Sequence, residues 1–381
     1  MSSSAKLTNG VTVGLEVTQY STNKFTTGIQ QVISHLYDDL QPFWESRGVH
    51  LAPMSCQTDV SRGGHRQITS GRHGARFRMR ALVSPEECVI IILPDCDANV
   101  DFRRLRALSR QRGIPVIAFV HDLLPLILPD AFPPESKPAF RIYLQQTLSV
   151  ADHVIVTTNK VKTDLLNLGW KLPANIHVVP LGSRMPQQTP HVPDKNQISI
   201  MYISTIEPRK GHDLLLKTFD LLISWGKDVV MTFIGHQGWM VQDLCNAIRN
   251  HPEFGSRLRW HLGADDALTK KVAMSSNVGV MPSQGEGFGM FIEEGLSLGL
   301  KVVVSAIPEF LERAQPNLFF SAQNPVAFAE NIIKAHNTPW IECRPPRSMQ
   351  DFSYEISQVV ESVFQQREIH VSTSKGDAEA T

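Results

Sequence analysis

Residues 282–299, PSQGEGFGMFIEEGLSLG, decide how the rest of the chain is read. A β-branched run at 277–281 opens into a Ser/Gly/Glu loop, and helical spacing starts near Met290. Gly285, Gly287 and Gly289 let main chain approach a ligand closely, and a helix start offers unpaired N–H groups at the positive end of its dipole. Together they form a cradle for a diphosphate. Glu286 lies in the loop and Glu294 a little over one turn into the helix, so both carboxylates can face one cleft. One suits sugar hydroxyls and the other a ribose diol, because carboxylates accept from paired O–H donors. The plainer reading is a tight strand–helix turn with solvated acids. The strand and helix in register on either side favour the cradle.

Outward from this segment, short β-branched runs alternate with amphipathic stretches. They fall at 11–17, 88–93, 114–120, 153–157 and 176–180, then at 198–203, 228–234, 257–262, 277–281, 301–304 and 317–320. Near-continuous apolar runs separated by helical patterns are strands buried on both faces, hence parallel α/β sheets. The polar, proline-bearing residues 184–197, RMPQQTPHVPDKNQ, divide the series as a linker. The fold class expected is therefore two doubly wound, Rossmann-like α/β domains, 1–183 and 198–350, facing each other across a cleft. Ligands in such sheets bind beyond the carboxyl ends of the strands. Residues 351–367 carry helical spacing with no strand after them, and the polar residues 368–381 read as a disordered tail.

Three further segments fall at strand ends. In ISTIEPRKG a strand ends at Ser204 and Thr205, and Arg209 and Lys210 precede a helix. Adjacent cations there suit a pyrophosphate; alone they read more often as a solvated basic turn, and their place at the carboxyl end of a strand shifts the balance. His121 and Asp122 follow a buried strand in IAFVHDLLP. The histidine suits a sugar hydroxyl or an acceptor proton, though a histidine at a strand end is more often structural. Asp122 either holds its tautomer or caps the next segment. Gly28, in TTGI, opens a helical pattern whose amides can reach the same diphosphate from the opposite wall.

Composition narrows the class. In 381 residues, 37 Lys and Arg balance 37 Asp and Glu, so no overall field points to nucleic acid. Five cysteines (Cys56, Cys88, Cys96, Cys245, Cys343) without CxxC spacing argue for a reducing compartment and against a zinc site. With no signal-like start and no run of roughly 18 apolar residues, a cytoplasmic protein is expected. One local imbalance stands out: residues 61–80 hold Arg62, Arg66, Arg72, Arg76, Arg78 and Arg80 and no acid.

Together these segments resemble the family 4 retaining glycosyltransferases of the GT-B fold, over about Thr12 to Ser362. GEGFG…EE matches that family's E-x7-E motif. The resemblance implies that Glu286 and the amides of Gly287, Phe288 and Gly289 meet sugar and phosphates, and that Glu294 holds the ribose. It places Lys210 at the family's diphosphate lysine. Arg209 stands in for the Gly-Arg that many members carry where this chain has Ser204 and Thr205. IGHQGW puts Gly235 beside the nucleotide, and HD at His121 and Asp122 matches the active-site histidine segment. Residues 351–360 resemble the helix that crosses back to the first domain. Residues 41–80 have no placed counterpart.

The resemblance further implies donor binding by 198–350 and acceptor binding by 1–183, with the departing diphosphate taking the acceptor proton. IEPRK with GxxGW leans to the bacterial mannosyltransferase-like subgroup, with GDP-mannose as favoured donor and a glycan or lipid-linked acceptor of surface polysaccharide synthesis. Asp95-Cys96-Asp97 has DxD spacing on the wrong domain, so Asp95 and Asp122 are expected on the acceptor side. The reaction is expected to need neither metal nor cofactor. Residues 62–80 suit peripheral contact with an anionic membrane, or simply form a solvated loop. The alternatives are a non-catalytic partner subunit and another GT-B enzyme such as a 2-epimerase.

Overall fold

The computed structural model describes residues 10–17, 28–56, 83–95, 100–189, 196–263 and 265–379, with side chains to Arg367. The proposed membrane segment 62–80 and the pair Cys96 and Asp97 lie outside the described residues.

The first sheet comprises β1 (Val11–Glu16), β2 (Val49–Met54), β3 (Ile90–Leu93), β4 (Val116–Val120), β5 (His153–Val156) and β6 (Asn175–Val178). All pairings are parallel, in the order β2-β1-β3-β4-β5-β6. Around it lie α1 (Gly28–Glu45), α2 (Phe102–Arg112), α3 (Leu124–Ile127), α4 (Ser136–Val150) and α5 (Asn159–Asn167). The second sheet comprises β7 (Ile198–Ile203), β8 (Val229–Ile234), β9 (Leu258–His261), β10 (Val278–Met281), β11 (Lys301–Ser305) and β12 (Leu318–Ser321). Its order is β12-β11-β10-β7-β8-β9, again parallel. Its helices are α6 (His212–Ser224), α7 (Gln242–Arg249), α8 (Asp266–Met274), α9 (Met290–Ser297), α10 (Pro308–Leu311) and α11 (Pro325–Asn337).

Strands such as IIIL in β3 and VIAFV in β4 are buried at every residue, as a parallel sheet covered on both faces requires. In the second sheet the winding reverses beside β7, which pairs with β8 on one side and β10 on the other. The loops leaving β7 and β10 therefore emerge side by side at the switch point, where ligands bind.

Two differences from the sequence reading have physical causes. Strand β2 was not among the expected runs; it contains Pro53, which is tolerated because β2 is an edge strand. The Pro53 carbonyl points away from β1 and accepts from the Val83 amide at 3.0 Å, so its missing N–H is one β1 would not use. The last helix, α12, runs Met349–Glu379, so backbone expected as a disordered tail continues as helix. No proline interrupts it there.

Helix α12 crosses back onto the first sheet. Phe352, Ile356, Val360, Val363 and Phe364 share its apolar cluster with Leu36, Leu40 and Trp44 of α1, each worth about 1.5–3 kcal/mol when fully buried. The two interdomain crossings are pinned together: the Ser183 amide donates to the Arg347 carbonyl at 2.7 Å, and the Met349 amide to the Ser183 carbonyl at 3.1 Å. Among the described residues, no helix is long and apolar enough to cross a membrane.

Candidate functional site

The loop after β7 brings Arg209 and Lys210 to Glu286, in the loop after β10. Lys210 Nζ lies 2.5 Å from Glu286 Oε1, Arg209 Nη1 donates to Oε2 at 2.9 Å, and Ser283 Oγ donates to Oε1 at 2.7 Å. Burial opposes ionisation of Glu286, but Lys210 and Arg209 overcome it and hold its carboxyl down to about 2. Arg209 also pairs with Glu207 at 3.1 Å and donates to the Gly285 carbonyl at 3.1 Å. Burial works against the Arg209 charge, yet Glu286, Glu207 and Asp122 hold its pKa above the ordinary value. Much of Arg209 is thus spent inside the protein. Lys210, with three N–H donors and one carboxylate partner, keeps capacity for a phosphate.

The glycine loop is held from behind by residues the sequence did not single out. Glu309, in α10, accepts the Glu286 amide at 2.7 Å. Arg313 donates to the Phe288 carbonyl, stands 4.0 Å over the Phe288 ring and pairs with Glu293 at 3.5 Å. Burial lowers the Arg313 pKa and raises that of Glu293, so each needs the other. The amides of Gly287, Phe288 and Gly289 find no acceptor among the described residues. They stand before α9 as a cradle would require.

The glycines also make room for protein. A side chain on Gly287 would overlap the His121 carbonyl oxygen; on Gly285 it would lie 2.7 Å from Leu128 Cδ1; on Gly289 it would lie 2.6 Å from the Phe310 ring. These absences let the first domain and the core approach the loop. The Gly287 carbonyl accepts from Thr157 Oγ1 at 3.0 Å and Thr158 Oγ1 at 3.1 Å. The Phe288 side chain belongs to the first domain's apolar cluster. Elsewhere on the interface Trp239 Nε1 donates to the Ala131 carbonyl at 2.9 Å and its ring stacks on Phe132. Glu312 accepts the Asn159 amide at the start of α5, at 3.0 Å.

His121 is buried, and its Nε2 lies 2.7 Å from the Pro94 carbonyl. That acceptor requires Nε2–H, which leaves the lone pair of the neutral ring on Nδ1. Asp122 resolves in favour of capping: it accepts the Leu124 amide at 3.0 Å, at the start of α3. The Asp95 carbonyl accepts from Tyr143. Gly28 begins α1, and a side chain there would come 3.1 Å from Met290 Cε, so the starts of α1 and α9 meet across the cleft. Ser204 Oγ donates to the Thr205 carbonyl at 2.9 Å, and Gly235 packs against the Ser204 carbonyl with no room for a Cβ. Glu294 is buried and paired with Arg184, a residue the sequence reading left in the linker.

An open cavity of about 750 Å³ lies where the loops after β7, β8 and β10 meet, lined by Pro208, Asp213, Gln237, Met240, Gln242 and Gln284 among others. It adjoins the residues before Arg209 and Gly285, yet its lining carries Asp213 and Asp243 and no cation. By charge, an anionic ligand is better matched by Lys210 and the α9 start than by this cavity. Among the described residues, no cluster of three or more His, Cys, Asp or Glu is placed to hold a metal ion.

Known proteins resemble this chain in both halves. Residues 197–338 match the family described as glycosyl transferases group 1, and residues 70–183 match glycosyltransferase family 4. The serotype-specific mannosyltransferase WbdA of Escherichia coli is 28% identical over 332 residues, 80% of this chain and 40% of that protein. O-antigen chain mannosyltransferase B of Escherichia coli is 25% identical over 260 residues, 62% of this chain and 66% of that protein. The chain thus spans about two fifths of the length of WbdA. Among solved structures, HepE of Anabaena in complex with UDP and glucose aligns with a TM-score of 0.58 at 14% identity, covering 95% of this chain and 99% of that one. Sucrose-phosphate synthase from Thermosynechococcus elongatus aligns at 0.59 and 15% identity, covering 97% and 100%. At such identities the structures show the fold alone, two facing parallel sheets of the GT-B type.

Proposed function

The chain belongs to the family 4 glycosyltransferases of the GT-B fold, and from that premise we propose that it transfers a hexose from a nucleotide-sugar to a glycan or lipid-linked acceptor, retaining anomeric configuration. One observation carries the reading. Lys210 and Arg209 from the loop after β7 and Glu286 from the loop after β10 converge at the switch point, beside amides before α9 that find no acceptor among the described residues.

In this reading the donor diphosphate takes Lys210 and those amides, and its charge grows as the sugar–phosphate bond breaks. Fixed donors aimed at that charge stabilise the transition state more than the ground state. The acceptor hydroxyl attacks from the leaving-group face, and its proton passes to the departing phosphate oxygen. Glu286 fixes Lys210 and reads sugar hydroxyls, and Glu294 accepts from the ribose. His121 offers Nδ1 toward the sugar.

GDP-mannose is the favoured donor and surface polysaccharide synthesis the favoured setting, because the relatives named above are mannosyltransferases, one of them of O-antigen chains. The enzyme works in the cytoplasm without metal, since Lys210 supplies the charge a cation would, and residues 62–80 draw it to anionic membrane. A screen of GDP-, UDP- and dTDP-sugars against lipid-linked and soluble acceptors tests the core of this. Sugar transfer that depends on acceptor supports it; nucleotide binding without turnover for every pair refutes it. Retained activity in EDTA is expected, and full loss restored by Mn²⁺ overturns metal independence. Equal sedimentation with anionic and neutral liposomes ends the membrane contact.

A further inference from the structure

Arg184 stands where the two interdomain crossings meet. It follows Ser183, whose backbone is bonded on both sides to Arg347 and Met349, so its starting point is fixed. A side chain on the neighbouring Gly182 would overlap the Ser348 carbonyl, which keeps the two crossings in contact. From there the guanidinium divides its donors. Nε donates to Glu294 Oε1 at 2.7 Å, Nη2 donates to the same oxygen, and Nη1 donates to Gln31 Oε1 in α1. First domain, crossing and second domain are thereby joined through one side chain. Arg184 and Glu294 are both largely buried, at 16% and 3% side-chain exposure, so the pair is shielded from competing water.

The way the fork lands matters. A guanidinium meeting a carboxylate commonly spreads two parallel N–H groups over both oxygens. Here both fall on Oε1, and Oε2 receives no hydrogen bond from a described residue. We infer that Arg184 is a positioning residue: it occupies one oxygen of Glu294, turns the other toward the donor's ribose diol, and ties that orientation to the first-domain wall through Gln31. This rests on the proposed role of Glu294. Without Arg184 the carboxylate loses its fixed rotamer, so selectivity for the ribose falls while diphosphate binding at Lys210 persists.

The test is titration calorimetry with GDP and 2′-deoxy-GDP, or the UDP pair if UDP binds tighter, on wild type, Arg184→Met, Arg184→Lys and Glu294→Gln. Wild type is expected to prefer the ribonucleotide by about ten- to hundredfold, the worth of one charge-assisted hydrogen bond. In Arg184→Met that preference is expected to fall within threefold of unity, as in Glu294→Gln, while the deoxynucleotide binds within about fivefold of wild type. Arg184→Lys keeps a cation at the crossing but not the fork, and is expected to lose at least threefold of the preference even where it melts as wild type does. A merely structural strut would weaken both nucleotides alike and leave their ratio unchanged. Full preference retained in Arg184→Met and Arg184→Lys overturns the inference and leaves the reading of Glu294 standing. Equal binding of the two nucleotides by wild type overturns both, beginning with Glu294.

Discussion

Replacing Gly287 with alanine adds one methyl group where the His121 carbonyl oxygen already sits, with the His121 carbonyl carbon at 3.0 Å and Asp122 Cβ at 3.1 Å. Gly287 does not occupy the left-handed region, so alanine suits the local backbone and the conflict is purely between domains. Main chain cannot swing aside as a side-chain tip can, and the loop must withdraw from the first domain. Withdrawal breaks the bonds from Thr157 and Thr158 to the Gly287 carbonyl. Two such bonds are worth about 1–3 kcal/mol together, and stranding buried oxygens raises the cost to about 2–4 kcal/mol. At about 1.4 kcal/mol per decade this predicts a loss of roughly 30- to 1,000-fold in kcat/KM for sugar transfer. Each sheet keeps its own core, so the variant should still fold, and small-angle scattering should report a larger radius of gyration. Gly285→Ala is the matched control. Its methyl would crowd Leu128 Cδ1 and Leu124 Cδ2, the ends of flexible side chains, and reach Glu309 Oε1 only at 3.9 Å, and repacking at about 1 kcal/mol predicts less than tenfold loss. Wild-type activity in Gly287→Ala, or equal damage from both substitutions, would refute a site assembled by close backbone contact between the domains.

Lys210→Met should lower kcat by about 10²–10³-fold, the usual cost of one donor to developing charge; steady-state rates within fivefold of wild type would contradict its role. His212 is buried between the Tyr202 and Phe233 rings with neither nitrogen hydrogen-bonded, and burial, with Lys210 adding to it, holds its pKa down to about 3 from 6.5. The folded state refuses a proton that the unfolded chain accepts, so stability present above pH 6.5 is lost as pH falls toward 3, at about 1.4 kcal/mol per pH unit. Urea unfolding of His212→Phe should show a margin over wild type that widens from pH 7 to pH 5, and a constant or negative margin speaks against this. Arg313→Met should cost about 3–5 kcal/mol by leaving Glu293 buried and unpaired. Adding Glu293→Leu should recover much of that in denaturant titrations, whereas no recovery would mean that Arg313 acts through the Phe288 carbonyl alone.

Strand runs such as IIIL and VIAFV, the loop GEGFG and the turn IEPRK were legible because each records local physics. Apolar continuity reports burial on both faces, and glycines and cations at strand ends report a place where backbone and charge are exposed. From these alone came two parallel sheets, and with them a convergence of Lys210, Arg209 and Glu286. Tertiary structure alone decided what each group touches. Arg184 looked like the first residue of a polar linker, Thr157 ended the strand run at 153–157, and Thr158, Glu309 and Arg313 fell in no segment that was singled out. None carries a local pattern, because each acts on a partner more than twenty residues away or in the other domain. The glycines show the same division: sequence marked where backbone must come close, and only the packing of one sheet against the other determined that the His121 main chain, Leu124 and Leu128 are what it comes close to. Period and propensity act along the chain over a few residues, whereas contact between loops from different sheets depends on how the folded domains sit together.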